Sequence, residues 1–86
     1  MSEVFINKVK QIIYNHIQDE KFGVHSLASE IGLSRSQILR KVKASTNKSV
    51  NCLIREIRLN EALKLLQEDK FTASEIAYNV GFNSPS

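Results

Sequence analysis

This sequence predicts an all-α fold, and three observations point to it. Chain breakers are scarce, with Gly occurring three times and Pro once in 86 residues, too few for a turn-rich β architecture. Apolar residues recur at steps of three and four, the period of a helix. The chain also matches itself when shifted by 49 positions. That shift places Asp19-Glu20-Lys21-Phe22 on Glu68-Asp69-Lys70-Phe71, Leu27-Ala28 on Ile76-Ala77, and Ile31-Gly32-Leu33 on Val80-Gly81-Phe82. A repeat identifies the unit of construction.

The first helix is expected over about residues 3–18, where Phe5, Val9, Ile12, Ile13 and Ile17 form an apolar stripe. The second follows Gly23 or Val24 and ends near Ile31. Leu27 and Ile31 share one of its faces, Ala28 leaves room for another helix, and Gly32 supplies a sharp turn in which positive φ costs little. Leu33 then plugs the corner. Ser34 is a good N-cap for the third helix, and Gln37 completes a capping box. Ile38 and Val42 face inward, and the helix is expected to fray around residues 45–47, where cap and turn formers gather.

A long helix is expected over residues 50–68, burying Leu53, Ile54, Ile57, Ala62, Leu65 and Leu66. At 1.5 Å per residue it reaches roughly 28 Å, close to one turn of B-DNA. The fifth helix opens at Thr72 with Glu75 as its capping-box partner and stops at Gly81. Asn83, Ser84 and Pro85 have the pattern of a sixth helix start.

Both copies of the repeat have the spacing of a helix-turn-helix. The predicted fold is therefore a helix-turn-helix bundle with a homeodomain-like three-helix unit, a long linker helix and a partial second helix-turn-helix. Residues 1–49 form the first subdomain, 50–68 the linker helix, and 69–86 an incomplete second subdomain. By the repeat, residues 83–86 correspond to Ser34-Arg35-Ser36-Gln37. The expectation is an excised piece of a longer protein. Ile76, Ala77, Val80 and Phe82 then lose a covering helix, and residues after about Lys70 are frayed or packed on another molecule.

Composition removes several function classes. The first apolar cluster, Val4-Phe5-Ile6, is broken at once by Asn7, Lys8 and Lys10, so no secretory segment is read there. No apolar run approaches the roughly 18–20 residues of a membrane span, and no membrane contact is expected of this segment. Cys52 stands alone, fits a reducing cytoplasm, and is read as a small packing residue rather than a nucleophile or metal ligand. His16 and His25 have no Cys or carboxylate at metal-ligand spacing. Gly23 and Gly32 form no phosphate-cradling loop. Neither an enzyme, a cofactor nor a metal is expected.

Charge is concentrated rather than large. The net charge is +3, yet residues 34–48 hold five bases and no acid, while the rest holds seven bases against nine acids. Such a segment suits a phosphate-binding face or a solvated helix face, and charge alone leaves both readings open. At 100° per residue, inward Ile38 and Val42 put Ser36, Arg40 and Lys43 opposite, with Gln37 and Leu39 on the flanks. Ser36, Gln37, Leu39 and Arg40 are the candidates for base edges in the major groove: Arg40 suits guanine O6 and N7, Gln37 adenine, and Leu39 a thymine methyl. Arg35, Lys41, Lys43 and Lys48 are the candidates for phosphates, which set register without reading sequence. Amides at the start of the second helix add a further phosphate candidate. For Arg58, bracing a helix end is favoured over reaching a phosphate.

The residues also resemble a known pattern, the AraC/XylS-type DNA-binding domain of bacterial activators. The resemblance rests on residues 27–36 (LASEIGLSRS), Leu39-Arg40-Lys41-Val42-Lys43, Arg58-Leu59-Asn60-Glu61-Ala62 with Leu65-Leu66, and Ile76-Ala77-Tyr78-Asn79-Val80-Gly81-Phe82. It implies two reading heads on a long linker helix, double-stranded DNA as partner, base contacts at Ser36, Leu39 and Arg40, and recruitment of RNA polymerase. The blocks at residues 34–37 and 48–51 resemble the C-terminal domain of hybrid two-component regulators. That implies a cytoplasmic, nucleoid-associated module on a parent chain anchored in the inner membrane. Where the family has Gly before the linker helix this chain has Asn47, which also tolerates positive φ. The alternative reading is a helical protein-protein interaction module without DNA readout.

Overall fold

The computed structural model describes residues 2–82. Five helices follow one another: α1 Ser2–Asn15, α2 Val24–Ile31, α3 Arg35–Thr46, α4 Val50–Glu68 and α5 Ala73–Asn79. No strand occurs among the described residues. The fold is all-α, as the breaker count and apolar period require.

α1 buries Ile6, Val9 and Ile13 and half-buries Phe5 and Ile12. It stops at Asn15, short of the expected end near residue 18. The His16 N–H is shared between the Ile12 and Ile13 carbonyls, and the Ile17 and Asp19 N–H groups bond three residues back. These shorter bonds tighten the chain out of the α-helix. The Asp19 carboxylate then accepts from the Lys21 N–H at 2.9 Å, and the chain turns into α2.

α2 ends in Gly32 at φ 87°, whose N–H bonds the Ala28 carbonyl. A Cβ there would meet nothing within 4 Å, so the left-handed turn, not lack of room, calls for glycine. α3 opens with the expected capping box between Ser34 and Gln37. It runs to Thr46 without fraying and closes on Asn47 at φ 61°, so Asn does take the conformation that usually belongs to Gly. Ser49 caps α4, its hydroxyl accepting from the Cys52 N–H at 3.1 Å.

The first three helices and the N-terminal half of α4 enclose one core of Val9, Ile13, Phe22, Val24, Leu27, Ala28, Ile38, Val42, Val50, Leu53 and Ile54. Ile57 packs on its edge. The C-terminal half of α4 is different. Ala62 and Leu65 are half-buried, and Leu66, expected inside, is 55% exposed; Leu59 and Leu63 are exposed as well. Here α5 is the helix packed on α4, so one side of α4 has a neighbour and the rest faces solvent. Cys52 is a second correction: it is exposed rather than packed. It precedes buried Leu53 by about 100° of helix rotation, which turns it out of the core.

α5 opens at Thr72 with Glu75 in a reciprocal capping box. Ile76 and Val80 are buried, Ala77 is half-buried and Phe82 is 37% exposed. The segment after Lys70, expected to be frayed or packed on another molecule, is helical over Ala73–Asn79. Its buried positions are covered by α4 and by the turn after α1, where Gly81 lies against the Ile17 carbonyl. The expected sixth-helix start at residues 83–85 lies outside the described residues.

Candidate nucleic-acid interface

α3 is anchored by Ile38 and Val42, both fully buried. They fix its rotation, and the opposite face carries Ser36, Arg40 and Lys43, all exposed. Arg35, Gln37, Lys41 and Lys48 are exposed too, and Leu39, at 37%, stands out of the core. The helix therefore presents a polar and cationic rod whose acid-free surface faces solvent.

The cations differ in what already holds them. Among the described residues Arg35, Arg40 and Lys43 enter no ion pair. The Lys48 ammonium instead lies 2.8 Å from both carboxylate oxygens of Glu56 on α4. That hydrogen bond pushes the Lys48 pKa above its ordinary value, with partial desolvation opposing and the Glu56 charge adding to the rise. Lys41 reaches back over α1, its ammonium 5.6 Å from the centre of the Phe5 ring. Gln37 is engaged at its own helix start: its Oε1 accepts from the Ser34 N–H at 3.0 Å, while its N–H donates to Ser34 Oγ at 3.2 Å. Only its amide nitrogen remains free to donate outward.

Arg58 is not part of this face. It is 8% exposed, with Nη2 donating to the Asp19 carbonyl at 2.8 Å and Nη1 to the Gly81 carbonyl at 3.3 Å. Burial lowers its pKa, while Asp19 and Glu20 pull the other way. Bracing, rather than phosphate contact, is its role. Sequence reasoning missed the Lys48–Glu56 pair, whose partners stand eight positions apart across a turn and share no helical register. It also missed His16, which stacks on Phe22 at 4.9 Å and bonds Glu30 of α2. His25 is exposed, and no cluster of metal-ligating side chains forms among the described residues.

A fixed, acid-free cationic face on the helix that follows a glycine turn is the arrangement of DNA-reading helices, which enter the major groove with such a face. The sequence independently matches the family described as a helix-turn-helix domain, over residues 27–86. The chain belongs to the AraC-type helix-turn-helix family. This AraC-type module is 39% identical over 85 residues to "Histidine kinase P4" of Formosa agariphila, covering 99% of this chain and 6% of that protein. It is 36% identical over 78 residues to an uncharacterized HTH-type transcriptional regulator of Pseudoalteromonas carrageenovora, covering 91% of this chain and 45% of that one. To the Msm operon regulatory protein of Streptococcus mutans it is 30% identical over 82 residues, which is 95% of this chain and 29% of that protein. The chain thus spans less than half the length of each of these relatives. No solved structure shows a significant match. The AraC-type module is a DNA-binding module of a transcription regulator, and no helix among its described residues is long and apolar enough to cross a membrane.

Proposed function

We propose that α3 lies in the major groove of double-stranded DNA with its Arg40 side toward the bases. The observation that carries this is the pairing of two buried anchors, Ile38 and Val42, with an opposite face on which Arg40 and Lys43 are exposed and unpaired. Arg40 reads a guanine through two parallel bonds, Leu39 meets a thymine methyl, and Ser36 and the free amide nitrogen of Gln37 complete the base contacts. Arg35 and Lys43 hold phosphates, and Lys41 and Lys48 join them on leaving Phe5 and Glu56. Residues 1–49 act as one reading unit, 50–68 as the linker helix and 69–86 as part of a second unit.

In the parent protein this module delivers a two-component signal to a promoter and recruits RNA polymerase. The support is its likeness to a short segment of a far longer histidine kinase. Its DNA target places it in the cytoplasm at the nucleoid, on a parent anchored in the inner membrane. It carries no enzymatic site of its own.

The test is selection of a binding sequence from a random duplex pool, followed by Arg40→Ala. Loss of about 1–3 kcal/mol of binding, with relaxed preference at one base pair, is expected. An unchanged preference at every position would remove Arg40 from the groove. Lys43→Ala is expected to weaken all sequences about equally.

A further inference from the structure

At position 58 the two copies of the repeat diverge. Shifted by 49 positions, Arg58 of α4 corresponds to Val9 of α1, which is fully buried in the first core. In α4 the chain instead buries a guanidinium, and its Nε has no hydrogen-bond partner. Burying a charge with an unsatisfied donor is costly, and a well-packed apolar side chain of similar volume is often as stable or more so. What an apolar side chain cannot do is hold two carbonyls in fixed directions.

Those two carbonyls belong to different halves of the molecule. Asp19 lies in the turn between α1 and α2, and Gly81 in the turn after α5. Around this joint, Gly81 packs directly on the Ile17 carbonyl and on the guanidinium, so that an added Cβ would collide with the former and lie 3.0 Å from Arg58 Cζ. Gln18 adds a 3.4 Å contact to Asn79. Gly32, the repeat counterpart of Gly81, has open space instead. Gly81 therefore serves both a left-handed turn at φ 82° and a close approach.

Apolar contact alone directs this joint weakly. Ile76 and Val80 are the buried apolar side chains of the second half, while Leu59, Leu63, Leu66 and Phe71 remain exposed. Hydrophobic contact is non-directional, whereas the planar fork of Arg is rigid.

We propose that Arg58 is a positioning residue that sets the orientation of the second half of the module against the first. Resting on the DNA-binding reading above, it thereby fixes the spacing at which the two halves meet a duplex. Its contribution is geometry rather than core stability.

The test measures that geometry without DNA. Spin labels are attached at Ser29→Cys on α2 and Ser74→Cys on α5, both exposed sites, in a Cys52→Ser background. The distance between them is read by pulsed electron resonance. One narrow peak is expected for Arg58 and loss of that single peak for Arg58→Leu, with near-native helix content. Arg58→Lys, which keeps the charge but not the fork, recovers only part of the peak. A single unshifted peak in Arg58→Leu overturns the proposal. If that variant does not fold, Gly81→Ala strikes the joint from the other side: a displaced or split peak with an intact first core supports the proposal, and an unmoved peak overturns it. Failure of the wild-type chain to bind any duplex would defeat the DNA reading while leaving the distance result to stand.

Discussion

Lys48 reaches across the turn between α3 and α4 to hold both carboxylate oxygens of Glu56 at 2.8 Å. A cation next to the reading helix is thereby already neutralised by the protein's own acid, and contact with a phosphate means exchanging one anion for another. Lys48→Ala is therefore expected to weaken DNA binding less than Lys43→Ala. Glu56→Gln, which frees the ammonium, should strengthen it. The salt dependence gives a sharper measure. Arg35 and Lys43 alone on phosphates predict a slope of log affinity against log salt of roughly −1.8, whereas Lys41 and Lys48 joining them predict roughly −3.6. A slope near the steeper value in the unaltered chain would mean that Lys41 and Lys48 leave their partners on binding.

The same pair has a defined pH signature. The folded-state pKa of Lys48 is raised above 10.5 by its bond to Glu56. The pair's contribution to stability is accordingly complete below the unfolded value and disappears as pH rises through the folded one. Titration of the Lys48 side chain by NMR should show a midpoint above that of a free lysine, returning to the ordinary value in Glu56→Gln. An unchanged midpoint in that variant would break the assignment.

Gly32 sits at φ 87° with open space around its Cβ position. Gly32→Ala meets only the backbone cost of a left-handed L-residue, about 1–2 kcal/mol. Chemical denaturation should find a loss of that size with the chain still folded and α3 still binding its selected sequence. A much larger loss would mean that a neighbour occupies the turn.

Leu27 is fully buried in the core of the first half, whereas Leu66 is more than half exposed. Leu27→Ala is expected to cost about 2–5 kcal/mol through lost transfer energy and a residual cavity. Leu66→Ala should lie within about 0.5 kcal/mol of the parent, as surface changes usually do. Equal losses in a urea titration would show that Leu66 is covered in solution.

Much of the fold was legible from residues that act on their own neighbourhood. Ser34 with Gln37 and Thr72 with Glu75 mark helix starts because a side-chain oxygen reaches an N–H three residues on. Ile38 and Val42 set the rotation of α3 because one turn separates them, and with it which side carries Arg40. The face of Leu66 was misjudged because a leucine at helical spacing signals one common side but not whether a neighbour covers it. Cys52 was misjudged because size and polarity describe a residue type and not its angle on α4.

The order of helices, the caps at Ser34 and Thr72, the repeat and the acid-free run from Arg35 to Lys48 follow from the sequence alone, since each rests on interactions within a turn or two of the chain. Tertiary structure decided which cations are free. It also made Arg58 a brace, because its acceptors at Asp19 and Gly81 stand 39 and 23 positions away. Groups so distant in the chain meet only after the core has closed, and no local pattern encodes that meeting.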